Sequence, residues 1–299
     1  MLRTRVISAA VLIPIVLVVV WLGEPWLSLL LGLVVFLALV ELIALLDAAG
    51  FQPPPVATLG LGFATAVGGL LAVNQSGIGG WVGDLMGSVS PPGIALGVFA
   101  ASTLLLGLVS FTRSDPRAGF LSWATSTFAI GYVGVLMPFL VLVAHLAPPG
   151  GSAATPVGWL GLRAGIAWSA LLLLCVWGYD IGAYLSGRWL GRRHLLDHIS
   201  PSKTVEGLAG GLIVATLAAG LGAGLVGLPP WHPLILGPVI GLTAQAGDLA
   251  ASLVKRAAGK KESGFLIPGH GGILDRVDSL IFAAPVLAGY AVLVAGATA

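Results

Sequence analysis

Residues 26–46 read WLSLLLGLVVFLALVELIALL, and Glu41 is the only charged residue in that stretch. A run of about 20 apolar residues is long enough to cross a bilayer as a helix. The whole 299-residue chain has the same character, since 57% of its residues are hydrophobic, 9% are charged and its mean hydropathy is +1.02. A soluble domain of this size would need far more polar residues to cover its surface. The chain is therefore predicted to fold in a membrane.

Apolar segments of spanning length recur along the chain. The basic start, MLRTR, with an apolar run behind it, resembles a secretory signal, but no convincing small-residue cleavage site follows it. We therefore interpret this run as a retained first helix. We predict an all-α polytopic integral membrane protein with about nine transmembrane helices, near residues 6–22, 26–46, 56–73, 94–110, 121–146, 164–186, 205–227, 233–254 and 279–298.

The basic residues give the orientation of these helices, because cytoplasmic loops of membrane proteins carry an excess of Lys and Arg. With the N terminus in the cytoplasm, only Arg163 of the 14 Lys and Arg residues falls outside. This predicts an external C terminus and two basic cytoplasmic loops, 187–204 and 255–278. We divide the chain into N-terminal helices, 1–119, and a catalytic half, 120–299, in a multi-pass protein of the cell membrane whose active site faces the cytoplasm.

Acidic residues lie inside predicted helices, where a buried carboxylate is costly unless it has a partner or a function. Glu41 is expected to lie near the membrane interface and to snorkel or pair. Asp180 and Asp248 instead begin polar stripes, and the segments 180–193 and 248–261 align in part, which is either a parallel internal repeat or a coincidence. The members of each stripe are spaced to share one helical face. The stripes are Asp180, Tyr184, Gly187 and Arg188, and Asp248, Ser252, Lys255 and Arg256.

Two further acids, Asp275 and Asp278, are spaced to share a face at the start of the last helix. Carboxylates at a helix N-terminus are stabilised by the macrodipole, so these two either cap the helix or bind a ligand. Together with Asp248 and the nearby Lys and Arg residues, they resemble a site for a hard cation that bridges phosphates, and Mg²⁺ prefers such ligands. His270 stands alone, and no His and Cys cluster indicates zinc.

Two loop sequences are candidates for phosphate binding. PGHGG, residues 268–272, precedes a helix, so its backbone N–H groups could hold a phosphate, although a turn is the commoner role of such a sequence. Ser202, Lys203 and Thr204 lead into the helix at 205–227, and a helix start with Lys and hydroxyl groups is suited to contact phosphate. The spacing of a Walker A motif is absent.

The residues that follow Asp248 also resemble a known family. Residues 252–278, SLVKRAAGKKESGFLIPGHGGILDRVD, resemble the signature of the phosphatidate cytidylyltransferases, the CDP-diacylglycerol synthases, and residues 180–207 resemble a second block of that family. Glu262 departs from the family pattern, which usually has Asp there, so we assign it no ligand role. The resemblance implies a polytopic helical enzyme, commonly a homodimer, that uses CTP, phosphatidic acid and Mg²⁺, with room for a second cation.

The resemblance also implies the reaction. The phosphate of phosphatidic acid attacks the α-phosphorus of CTP, pyrophosphate leaves, and CDP-diacylglycerol forms. A phosphate monoester is already anionic at about pH 7, so positioning and charge neutralisation are expected to carry catalysis. The expected catalytic residues are Asp248, Asp275, Asp278, Lys255 and Arg256, with the three Asp as metal ligands, and the expected substrate-binding residues are Lys203, Arg188, Ser200, Thr204, His270 and Asp180.

Other classes of protein compete with this interpretation. A transporter also carries intramembrane carboxylates and repeats, but it needs a polar path to the outer face, and none is evident in the sequence. A purely structural membrane protein leaves the buried acids unexplained. Within enzymes, the alternative is a CTP-dependent nucleotidyltransferase that acts on another lipid phosphate, such as a prenyl-chain phosphate. The net charge of +2 by itself says little about partners. Membrane lipid is expected as a partner, and nucleic acid is not.

Overall fold

The computed structural model describes residues 10, 14–73, 91–149, 163–269 and 271–297. Apart from one short hairpin and an isolated bridge, the regular elements in these residues are helices. One of them is a π-helical turn, Ile130–Val135. The elements are α1 (Trp26–Ala48), α2 (Pro55–Val73), α3 (Pro91–Ser110), α4 (Pro116–Ala129), α5 (Phe139–His145), α6 (Ala164–Leu190), β1 (His194–Leu196), β2 (Ser200–Thr204), α7 (Val205–Val226), α8 (His232–Ala257) and α9 (Leu274–Leu293).

Seven helical stretches among the described residues are long and apolar enough to cross a membrane, as expected for a multi-pass membrane protein. A further apolar helix covers Ala95–Ser110, where the span 94–110 was predicted. Of the predicted first span, 6–22, residues 14–22 are helical, while 1–9 and 11–13 lie outside the described residues. The helical membrane fold is therefore confirmed, whereas the count of nine helices and the sides of the two termini stay predictions.

The predicted span 121–146 contains a change of helix type. α4 passes into the π-helical turn and then, after a short turn, into α5. A Cβ on Gly134 would lie 2.7 Å from the Gly62 carbonyl oxygen, so α2 approaches the π-helical turn more closely than other residues would permit. The wider π turn therefore lies at a close contact between helices.

An antiparallel hairpin of β1 and β2 occupies part of 187–204, where the sequence predicted only a loop. The hairpin is held by His194, whose Nδ1 lies 2.7 Å from the Pro201 carbonyl oxygen. Thr204 ends the hairpin and caps α7, because its hydroxyl accepts a hydrogen bond from the Gly207 N–H group at 3.0 Å. Part of the basic loop 187–204 is thus an ordered hairpin that leads into α7.

The chain divides into two compact units, which alternate along the sequence. The first unit consists of Met1–Val141 with Val254–Val277, and so includes the last turn of α8, the loop after it and the first turn of α9. Leu42 and Leu45 of α1 are fully buried in its core. Polar contacts also tie its helices together, since Thr58 Oγ1 donates to Ser126 Oγ at 3.1 Å.

The second unit consists of Leu142–Leu253 with Asp278–Ala299. α6 and α7 pack along much of their length. Gly211 permits this approach, because a Cβ there would lie 2.6 Å from the ring of Tyr179. The Tyr179 hydroxyl in turn donates to Gln245 Oε1 at 2.6 Å, so a buried polar contact links α6 to α8. Small residues and one buried hydrogen bond thus hold these three helices together.

Candidate active site

A buried ion pair joins the end of α8 to the start of α9 within the first unit. Lys255 Nζ lies 2.6 Å from Asp275 Oδ1, and the two side chains are only 11% and 8% exposed. Lys255 is in the last turn of α8 and Asp275 in the first turn of α9, so each charge has the sign that the helix macrodipole favours at that end. The structure therefore brings two of the predicted catalytic residues into direct contact.

The second oxygen of the Asp275 carboxylate is held by the loop before α9. Oδ2 accepts hydrogen bonds from the Ser263 N–H group at 2.8 Å and from the Gly272 N–H group at 3.1 Å, and Ser263 Oγ lies 3.0 Å away. Hydrogen bonds to a charged acceptor are stronger than neutral ones. With Lys255 on Oδ1 and these donors on Oδ2, both oxygens of the Asp275 carboxylate are held.

Glycines shape the loop that supplies these donors. The Ile267 N–H group donates to the Gly271 carbonyl oxygen at 2.9 Å, which closes a tight turn. Gly269 and Gly271 have φ angles of 78° and 79°, a conformation that other residues rarely adopt. His270, between them, lies outside the described residues, so its predicted contact with substrate stays a prediction.

The N–H groups that lead into α9 are bound by protein carboxylates. The Gly272 N–H group donates to Asp275, while the N–H groups of Ile273 and Leu274 each donate to Glu41 at 2.9 Å. The sequence favoured a phosphate near this helix start. In the structure, two acidic side chains already occupy these donors, so the anion at the start of α9 is supplied by the protein.

Glu41 is the residue of this region that sequence reasoning missed. Its side chain is only 9% exposed, and it also accepts a hydrogen bond from Ser263 Oγ at 2.8 Å. We expected Glu41 to snorkel or pair near the interface. It does pair, with backbone and hydroxyl donors, but it is buried rather than extended toward solvent. Its position as the only charged residue in 26–46 was the feature of the sequence that could have indicated a structural role.

A second Lys–Asp pair lies in the second unit. Lys203 Nζ, on β2, lies 2.5 Å from Asp248 Oδ2 on α8, and Ser252 Oγ donates to Asp248 Oδ1 at 3.3 Å. The Lys203 and Asp248 side chains are 18% and 35% exposed. The hairpin before α7 thus places Lys203, predicted to bind phosphate, in contact with Asp248, predicted to bind a metal ion.

Asp278 lies beside α8 because of a close approach between helices. A Cβ on Gly247 would overlap the Asp278 carbonyl oxygen and contact the Phe282 ring, so only glycine permits this approach. The Asp278 side chain is 8% exposed, and its Oδ1 accepts a hydrogen bond from the Ser279 N–H group at 2.7 Å. Because Gly247 directly precedes Asp248, the backbones of these two predicted acids come together within the second unit.

The other predicted site residues have local partners or exposed positions. Arg188 donates to the Tyr184 hydroxyl, one turn earlier on α6, at 2.8 Å. Arg256 donates to the Lys260 carbonyl oxygen at 3.3 Å. The roles of these residues in binding substrate stay predictions. The remaining positions are Asp180, exposed on α6, Ser200, at the start of β2, and Thr204, which caps α7.

Asp275 in the first unit and Asp248 in the second each offer carboxylate oxygens, which are the ligands that hard divalent cations prefer. Each oxygen of Asp248 has one contact in the structure, and Asp275 Oδ1 has Lys255, so these three oxygens leave coordination positions, whereas three donors already contact Asp275 Oδ2. Within the described part of the chain, no group of three or more His, Cys, Asp and Glu residues is placed to hold a metal ion. The predicted set of Asp248, Asp275 and Asp278 is divided between the two units and stays a prediction.

Comparison with known proteins supports this chemistry. Residues 3–294 match the model of the cytidylyltransferase family. The phosphatidate cytidylyltransferase of Staphylococcus saprophyticus is 31% identical over 287 residues, which cover 95% of this chain and 97% of the relative. The enzyme of the same name from Bacillus subtilis is 34% identical over 182 residues, 60% of each chain. That from Synechocystis is 49% identical over 131 residues, 43% of this chain and 44% of the relative.

The family match includes both Lys–Asp pairs and all the helices described above. The alignment with the Staphylococcus saprophyticus enzyme extends over nearly the full length of both proteins. The resemblance found in residues 180–207 and 252–278 is therefore confirmed. The chain belongs to the cytidylyltransferase family and is an enzyme of the nucleotidyltransferase class.

Proposed function

We propose that this protein transfers the cytidylyl group of CTP to phosphatidic acid, forming CDP-diacylglycerol and pyrophosphate for phospholipid biosynthesis. The family and the activity named for its relatives support this reaction. The observation that carries the proposal is the buried Lys255–Asp275 pair at the start of α9. Nucleotidyl transfer needs cations that bind phosphate and acids that bind a divalent cation, and this pair supplies one of each.

The bonds exchanged in the reaction explain which groups are needed. A phosphate oxygen of phosphatidic acid bonds to the α-phosphorus of CTP, while the bond from that phosphorus to the bridging oxygen breaks. Pyrophosphate leaves with the electron pair of the broken bond. Because a phosphate monoester is already anionic at about pH 7, no strong general base is required. Catalysis then rests on positioning the two phosphates and neutralising their charge.

In this proposal, Lys and Arg residues bind the phosphates. Lys255 and Lys203 neutralise their aspartate partners in the substrate-free protein, and a phosphate that reaches either pair competes for the ammonium group. Arg188 and Arg256 have exposed side chains, and a guanidinium group can bind phosphate through two hydrogen bonds. The residues proposed to orient the substrate are Asp180, Ser200, Thr204 and His270.

We propose Asp248, Asp275 and Asp278 as the acids that hold Mg²⁺, with room for a second cation. Enzymes of this class depend on a divalent cation. Bound Mg²⁺ would neutralise charge on the phosphates of CTP. The orientation of two of the acids supports the assignment, because Asp275 and Asp248 each have one oxygen on a Lys ammonium group and the other on hydroxyl or backbone donors.

The proposed site faces the cytoplasm at the surface of the cell membrane. The distribution of Lys and Arg supports this orientation. Phosphatidic acid is a membrane lipid, so its headgroup reaches the acids sideways from the bilayer, while CTP arrives from the cytoplasm. We assign catalysis to residues 120–299, which contain both Lys–Asp pairs, and we propose a homodimer on the basis of the family resemblance.

A CTP-dependent transfer to another lipid phosphate, such as a prenyl-chain phosphate, is the alternative within the same chemistry. The names of the relatives favour phosphatidic acid. A transporter, the other class that intramembrane acids allow, has no support from a family of nucleotidyltransferases.

An assay with a panel of lipid acceptors tests the proposal. Purified protein in nanodiscs, supplied with CTP, Mg²⁺ and phosphatidic acid, should release pyrophosphate and form CDP-diacylglycerol. Product formed only with another lipid phosphate would establish the alternative. Absence of product with every acceptor would refute the proposed function.

A further inference from the structure

Glu41 is a buried acid that the proposed reaction does not use. In α1 of the first unit, its Oε1 accepts a hydrogen bond from the Ile273 N–H group, and its Oε2 accepts hydrogen bonds from the Leu274 N–H group and from Ser263 Oγ. A carboxylate inside a spanning helix is costly unless donors compensate it. These donors come from a segment 222 to 233 residues later in the sequence.

For α9, Glu41 takes the part that an N-cap residue plays in other helices. The first N–H groups of a helix have no acceptor within the helix, and a carboxylate that accepts them also gains from the macrodipole. Ile273 and Leu274 supply two such groups, and Asp275 is the next residue. The direction of the first turn of α9, and with it the direction of the Asp275 carboxylate, therefore depends on Glu41.

Ser263 adds a second link between the two acids. Its hydroxyl oxygen lies 2.8 Å from Glu41 Oε2 and 3.0 Å from Asp275 Oδ2, and its N–H group donates to the same Asp275 oxygen. A hydroxyl carries one proton, so it donates to one carboxylate at a time while remaining in contact with both. A Cβ on Gly272 would overlap both the Ser263 hydroxyl and the Glu41 carboxylate, so these groups are closely packed.

We propose that Glu41 is a positioning residue for Asp275, acting from α1 on the loop before α9 and on the first turn of that helix. The proposal rests on the proposed function to the extent that Asp275 serves cytidylyl transfer. The anchoring of the loop by Glu41 does not depend on that function. The inference gives α1, in the N-terminal part of the chain, an indirect part in the reaction, through the loop and the first turn of α9.

Glu41→Gln tests the proposal with little change in side-chain volume. One amide oxygen cannot replace two carboxylate oxygens, and the new NH₂ group would face an N–H donor of α9. We expect a fall in kcat and a rise in the half-saturating Mg²⁺ concentration of about 10- to 100-fold, as for other residues that orient a metal ligand. Backbone hydrogen exchange at Ile273 and Leu274 in the substrate-free protein should become at least about 10-fold faster.

Thr58→Val is the matched control. It also removes a buried hydrogen bond in the first unit, the one to Ser126, but it does not touch the loop. We expect the half-saturating Mg²⁺ concentration and the exchange at Ile273 and Leu274 to stay at wild-type values. Should Glu41→Gln not fold, Glu41→Asp keeps the charge on a shorter side chain and is expected to change both measurements in the same direction by a smaller factor.

The outcomes separate this inference from the proposed function. A wild-type protein without cytidylyl transfer would refute the proposed function, and the hydrogen-exchange measurement would still decide whether Glu41 holds the loop. An active wild type with unchanged Mg²⁺ dependence in the Glu41 variants would overturn the positioning role. Unchanged exchange at the two amides would overturn it as well, and so would equal losses in Glu41→Gln and Thr58→Val.

Discussion

Two Lys–Asp ion pairs of nearly equal length should contribute very differently to stability. Lys255–Asp275 measures 2.6 Å with side chains 11% and 8% exposed, and Lys203–Asp248 measures 2.5 Å with side chains 18% and 35% exposed. Removing one partner of a buried pair leaves an uncompensated charge and costs about 3–5 kcal/mol. Pairs that solvent screens contribute about 1 kcal/mol or less. Exposure, rather than distance, therefore decides the contribution.

Replacing each Lys by Met tests this reasoning, because Met keeps much of the side-chain volume and removes the charge. In Lys255→Met, Asp275 retains the donors on its second oxygen, so we expect a loss of unfolding free energy near the lower end of the range, about 3 kcal/mol. In Lys203→Met, we expect a smaller loss, about 1–2 kcal/mol, because the Lys203 Nζ atom is buried while the Asp248 side chain is 35% exposed. Both variants should lose cytidylyl transfer, because each lacks a proposed phosphate-binding cation.

Denaturant titration in mixed micelles gives the unfolding free energies of wild type, Lys255→Met, Asp275→Asn and the double variant. Because the two residues share one interaction, the second substitution should cost less in the double variant than it does alone. Equal losses in Lys255→Met and Lys203→Met would refute the argument from burial. Additive losses in the double variant would show that the pair itself contributes little.

The acids, the cap of α7 and one close helix approach give three further expected outcomes. Asp248→Asn or Asp275→Asn should nearly abolish pyrophosphate release, because an amide is a poor ligand for Mg²⁺ and leaves a Lys charge unpaired. Full activity in a folded variant would refute the assignment of that Asp as a metal ligand. Thr204→Ala should lower the unfolding free energy by about 1 kcal/mol, with Thr204→Ser close to wild type, and equal stability of all three would exclude the cap. Gly247→Ala forces a methyl group onto a carbonyl oxygen of α9 and should cost about 1–3 kcal/mol in the same titration. Gly220→Ala, at a position with open space around it, is the control and should be neutral or stabilising.

The helices could be predicted from the sequence because a bilayer leaves an apolar segment few alternatives to the helix. The predicted spans 26–46 and 205–227 differ from α1 and α7 by no more than two residues at either end. The hairpin of β1 and β2 could not be predicted in this way. Its sequence, HLLDHISPSKT, lacks the alternation that marks a strand, and a contact between His194 and Pro201 holds it.

The candidate site was predicted in its residue types but not in its pairings. Helical spacing places residues on one face of one helix, and it says nothing about what another segment brings to that face. Lys255 was expected to be catalytic, but the sequence did not predict its partner in the structure, Asp275, 20 residues further along the chain. Glu41 received no role in the site, because its partners are 222 to 233 residues away and two of them are backbone N–H groups.

The two proposed metal ligands Asp275 and Asp248 differ from Glu41 in the kind of partner that they have. Asp275 and Asp248 are each neutralised by a Lys ammonium group. A nucleotide with its divalent cation brings a new cation for the Asp and a new anion for the Lys, so the exchange preserves charge balance in a chain with few charges. Glu41 is held by two backbone N–H groups and a hydroxyl group. If Glu41 turned to another ligand, these buried donors would lose their acceptor, which is costly. We therefore expect Glu41 to keep its partners when substrate binds, which is what the proposed positioning role requires.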